Sequence, residues 1–166
     1  MDELLDQLMT CLHRQYDLYG ELLDQFARER QAVLQSDLNG LQEVLQTKER
    51  LLQAIRRVEL ERHGVLERLA GELAIDPAAL TISRLAQVSA EPFASRLSRF
   101  GSEFQGLVQT IQDESNRNRS LCLQALQFVN GSIRLLSSLV AAEPVYRRSG
   151  KVGLEGRVGR VLSGAV

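Results

Sequence analysis

At 166 residues the chain fits one domain, large enough to bury roughly two thirds of the surface its unfolded form exposes. Hydrophobic residues at 44% and charged residues at 25% are ordinary for a soluble globular protein. A net charge of −1 provides no overall field to select nucleic acid or an anionic membrane, and three prolines with no tryptophan point to helix.

The first helix is expected from about residue 2 to 35. Its apolar stripe, Leu5, Leu8, Leu12, Gln15, Tyr19, Leu22, Phe26, Glu29, Val33, advances in alternating steps of three and four. Its opening, MDELLDQL, is acidic and has no basic n-region, so no signal peptide is expected. Ser36-Asp37 then offers a short side-chain oxygen to cap a new helix, with Gly40 a mild cost in its first turn. The second helix, 37–73, carries the stripe Leu38, Leu41, Leu45, Lys48, Leu52, Ile55, Glu59, Arg62, Leu66, Leu69, Leu73. A repeat of this kind keeps one seam facing a partner and produces coiled-coil-like packing.

Residues 75–91 form the connection, punctuated by Asp76-Pro77 and Glu91-Pro92, because the residue before Pro is pushed out of the α region. PAAL and ISRLAQ within it suit short helical turns. The third helix, 92–142, has the stripe Phe93, Leu97, Phe100, Phe104, Leu107, Ile111, Glu114, Asn118, Leu121, Ala125, Phe128, Ser132, Leu135, Leu139, and Pro144 ends it. The expectation is an all-α fold: an elongated antiparallel bundle or hairpin of three long helices, with a bundle domain over 1–142 and a flexible C-terminal tail over 143–166. The seams share polar interruptions at matching heights. Glu29, Lys48, Glu114 and Asn118 are therefore expected to form one polar layer, which costs stability but fixes register.

No residues assemble into catalytic chemistry. His13 and His63 lie 50 residues apart, with neither HExxH nor CxxC spacing, and ERHG at 61–64 reads as a wet helix face. Cys11 and Cys122 are too few for a disulfide framework and suit small buried hydrophobes in a reducing compartment. No apolar run approaches the roughly 18 residues of a membrane span. The expectation is a cytoplasmic protein that is not an enzyme, with no cofactor, no metal, no nucleic acid partner and no membrane insertion.

The end of the chain is different. Residues 147–166 hold Arg147, Arg148, Lys151, Arg157 and Arg160 against Glu155 alone, a net of +4 that leaves −5 for the rest. Glycines at 150, 153, 156, 159 and 164 would dissolve an isolated helix. Yet Val158, Val161 and Leu162 fall on one helical face, and such a segment orders against a partner's apolar groove. A terminus without a role is the competing reading.

The helical hairpin, the stretch ESNRNRSLCLQAL with Asn116 and Asn118, and PVYRRSGKV with Tyr146 to Gly150 resemble the flagellar export chaperones of the FlgN type. That resemblance covers most of the chain, chiefly as helical pattern. It implies a cytoplasmic chaperone that binds unassembled flagellar hook-associated, or hook–filament junction, proteins. Such a chaperone prevents premature association and delivers its clients to the membrane protein of the type III export gate. It places client binding on Ile133, Leu136, Val140, Val145, Val152, Leu154, Val158, Val161 and Leu162, and gate docking on Tyr146 with Arg147 and Arg148. A structural coiled-coil protein acting through homo-oligomerisation explains the heptads equally well.

Overall fold

The computed structural model describes residues 1–141, with side chains as far as Leu139. All regular structure among them is helical: α1 spans Asp2–Gln35, α2 Leu38–Leu73, α3 Ile82–Val88 and α4 Phe93–Ala141, with a 3-10 turn at Pro77–Ala79. By its contacts the chain divides into two units, Met1–Leu121 and Cys122–Val166, the division falling inside α4. The expected tail, 143–166, lies outside the described residues.

Two residues suffice to reverse the chain between α1 and α2. Ser36 takes a left-handed conformation at φ 56°, and the N–H groups of Ser36 and Asp37 donate to the carbonyls of Val33 and Ala32. This is the usual way to satisfy the last orphan carbonyls of a helix. Asp37 then caps α2, its carboxylate accepting from the Gly40 N–H at 2.9 Å. A Cβ on Gly40 would stand 2.3 Å from that carboxylate, so glycine makes room for the cap. At the far end of α2, Ala74 repeats the left-handed cap at φ 52° without being glycine. An L-residue pays roughly 1–2 kcal/mol for that conformation. Ala74→Gly is therefore expected to stabilise the protein by up to about 1 kcal/mol after the greater unfolded-state entropy of glycine is counted, a rise of about 2–4 °C in Tm. Thermal unfolding followed by circular dichroism checks this.

The connection after α2 holds more order than three long helices require, and the described residues form four α-helices rather than three. Thr81 caps α3 by accepting from the Arg84 N–H at 3.1 Å, and this short helix inserts Leu85 fully into the core.

In the first unit, α1 and α2 run antiparallel. Their register is visible in contacts between Gln7 and Arg68 (2.8 Å), Arg14 and Glu61 (2.6 Å) and Glu29 and Lys48 (2.9 Å), whose residue numbers rise on one helix as they fall on the other. The part of α4 up to Leu121 runs parallel to α1. Phe100 packs edge-on against His13 and Tyr16, Phe104 against Tyr19, and Asn118 reaches the Phe26 carbonyl. One core cluster joins Leu5, Leu8 and Leu12 to Leu69, Leu85 and Leu97; a second joins Leu22 and Phe26 to Leu51, Ile55 and Ile111.

The buried line of α2 differs from the expected stripe by one residue. Ile55 and Leu69 are buried as expected, but their companions are Val44, Leu51, Val58 and Val65 rather than Leu38, Leu45 and Leu52, which are exposed. Both sets lie beside the shared line of Lys48, Ile55, Arg62 and Leu69 at heptad spacing, so periodicity alone does not choose between them. Packing against α1 selects the set that includes the compact valines.

Candidate functional site

A polar layer sets the height at which the helices meet. Glu29 on α1 accepts from Lys48 Nζ at 2.9 Å and from Asn118 Nδ2 at 2.7 Å. The same Asn118 amide donates to the Phe26 carbonyl at 2.7 Å, and Lys48 Nζ sits 4.1 Å above the centre of the Phe26 ring. Three of the four expected residues therefore meet around one carboxylate. Glu114 does not pair with Lys48; it takes Arg30 of α1 and, at 2.7 Å, Arg117 one turn along its own helix. Arg30, next to Glu29 on α1, is a partner that the seam pattern leaves out of view. Asn118 is 3% exposed and its Oδ1 has no partner among the described residues.

The two histidines of this unit have ordinary helix-surface surroundings. His13 donates through Nδ1 to the Met9 carbonyl at 2.8 Å, and His63 is exposed beside Glu67. No three His, Cys, Asp or Glu among the described residues cluster as a metal site would require. The shallow groove between α1 and α2 lined by Arg14, Asp17, Glu21, Arg57 and Glu61 holds no nucleophile. Burial pushes the Cys11 thiol up, with the nearby Glu61 adding to the effect. Cys11 is therefore expected to resist alkylation in the folded chain while half-buried Cys122 reacts. Counting labelled thiols before and after denaturation, one then two, checks this.

The second unit carries a different kind of surface. From Cys122 to Leu139 the helix is apolar on most of its circumference and bears a single charge, Arg134. Phe128 is 77% exposed, Leu135 and Leu136 62% each, and Ile133 48%, with Leu123, Leu126, Val129 and Leu139 also exposed. Soluble monomers rarely leave so much contiguous apolar surface in water. Ile133 and Leu136 thus lie on an open face, whereas Leu135 and Leu139, which as seam positions belong to a bundle core, are open as well. Leu123, Leu126, Phe128 and Val129 were absent from the sequence-derived set. Their signal was present one turn upstream, where the same three-and-four spacing continues without a charge. The side chain of Val140 and all of Val145, Tyr146, Arg147, Arg148, Val152, Leu154, Val158, Val161 and Leu162 lie outside the described residues.

A sequence model of a protein family, described as FlgN protein, matches residues 1–153. The chain belongs to the FlgN family. It is therefore a flagellar export chaperone, a protein of flagellum biogenesis with a flagellar protein as partner. The FlgN match takes in the Asn116–Asn118 stretch and Tyr146 to Gly150, and it stops before Leu154, Val158, Val161 and Leu162. Neither a curated protein nor a solved structure matches the sequence. Among the described residues no helix is long and apolar enough to cross a membrane.

Proposed function

We propose that this chaperone acts in the cytoplasm on unassembled hook–filament junction proteins, the hook-associated subunits. It masks their amphipathic helical ends and presents them to the cytoplasmic part of the export-gate membrane protein. The observation that carries this reading is the uncharged, exposed face of α4 between Cys122 and Leu139. Ends that polymerise only after export must be kept from pairing beforehand, and an amphipathic helix does this by laying its apolar side on another. Client contact is assigned to Ile133 and Leu136 together with Val140, Val145, Val152, Leu154, Val158, Val161 and Leu162. Gate docking is assigned to Tyr146 with Arg147 and Arg148.

The test is co-purification of the intact chain, and of a chain ending at residue 121, with soluble junction proteins from the same genome. Capture by the first and not the second supports the reading; equal capture by both overturns it. A second reading, homo-oligomerisation through the same face, is favoured by the same exposed leucines. It predicts a concentration-dependent dimer that client does not dissociate, measurable by light scattering. The two proposed roles are also expected to separate. Tyr146→Ala should leave client affinity within about twofold while reducing export, whereas loss of client binding as well would merge gate docking with client contact.

A further inference from the structure

Taking the chaperone reading as its base, we infer that residues 122–139 of α4 hold two client helices at once, acting as the middle helix of a three-helix contact. The apolar surface there consists of two lines. Ala125, Phe128, Ser132, Leu135 and Leu139 continue the seam pattern in steps of three and four, and Cys122, Leu126, Val129, Ile133 and Leu136 repeat it one residue later. One residue is about 100° of rotation, so the two lines are centred about 100° apart. Together they cover more than half the circumference and leave Gln124, Gln127, Gly131, Arg134 and Ser138 on the remaining side. Large side chains on both lines are exposed: Phe128, Leu135 and Leu139 on one, Leu126, Val129, Ile133 and Leu136 on the other.

A single helix packs its knobs along one seam, which is narrower than an ordinary amphipathic stripe. It would cover one line and leave the other in water. The seven exposed side chains of the two lines offer on the order of 700 Å², close to one partner's share of a standard interface, rather than the smaller area of a lone helix in a groove. Neither line carries a charge, since Arg134 lies on the other side, so the occupant's facing surfaces are uncharged and aliphatic or aromatic. A second copy of this chain does not close the surface: two such helices paired along one line each leave the other line open. One client supplying two amphipathic helices closes both.

Leu135 and Leu136 give a matched pair of reporters, adjacent in sequence, equally exposed and on different lines. In the full chain with both native cysteines replaced by serine, Leu135→Cys and Leu136→Cys are labelled separately with a maleimide. The free chain should label at similar rates at both positions, and saturating intact junction subunit should slow both at least tenfold. A synthetic peptide of one terminal helix of that subunit should slow one position or neither. One position left fast by the intact client, or both slowed by the single-helix peptide, overturns the two-helix contact. Slow labelling at either position of the free chain overturns it too, since the chain's own residues or a second copy would then fill the line. If the intact client slows neither, the client is not held on this helix, and the chaperone reading of this face fails with it.

Discussion

Ile133→Asp combined with Leu136→Asp is expected to abolish client capture and leave the protein folded. Both side chains are open to solvent in the free chain, so their replacement costs folding no more than surface substitutions do, about 0.5 kcal/mol each. In the proposed complex the same positions lie inside an apolar contact, where a buried, unpaired carboxylate is strongly unfavourable. Interface anchors of this kind are worth roughly 2 kcal/mol or more apiece. The pair should therefore raise the client Kd at least about a thousandfold. Titration calorimetry reads the loss and circular dichroism reads the retained helix. A large fall in Tm would place these residues in the chain's own core.

The second large effect concerns folding. Glu29→Ala is expected to destabilise the protein by roughly 2–4 kcal/mol, because it removes one acceptor shared by a largely buried ammonium and a buried amide. Lys48 would be left against the Phe26 ring with no carboxylate, and Asn118 would keep only the Phe26 carbonyl. For a chain of this size that is a Tm lower by about 10 °C. Replacing the set together, Glu29→Leu with Lys48→Met and Asn118→Leu, should recover most of the loss, since an apolar layer has no stranded charge. If the single variant melts like the parent, the layer contributes nothing to stability.

Much of the first unit was legible from residue pattern. The break at Ser36-Asp37 shows because a serine and an aspartate interrupt two leucine-rich runs; the Asp37 carboxylate caps α2 as expected, while Ser36 ends α1 through its backbone alone. The meeting of Glu29, Lys48 and Asn118 follows from counting heptads away from two reversals. The rotation of α2 was not legible: leucines line one side of the Lys48, Ile55, Leu69 line and mostly valines the other, both apolar, and only packing distinguishes them. The short helix α3 matches the helical turn expected at ISRLAQ, whereas the full burial of Leu85 is not legible, because seven residues are too short for periodicity to show which face is covered. Arg30 was overlooked as the partner of Glu114 because it lies beside the seam rather than on it. The open face of α4 was partly visible as an apolar run; that Phe128 and Leu135 also stay uncovered depends on which helices are near them, which spacing does not report.

Hydrogen exchange of the full chain, measured with and without a soluble junction subunit, tests most directly whether the face from Cys122 to Leu139 is where the client sits. Free, this stretch of α4 should exchange faster than the helices around Leu8, Leu69 and Leu97, which lie in the packed core. With client bound, the expected result is strong protection across residues 122–139 and little change at the core. Protection confined to α1 and α2, with 122–139 exchanging as before, would contradict it.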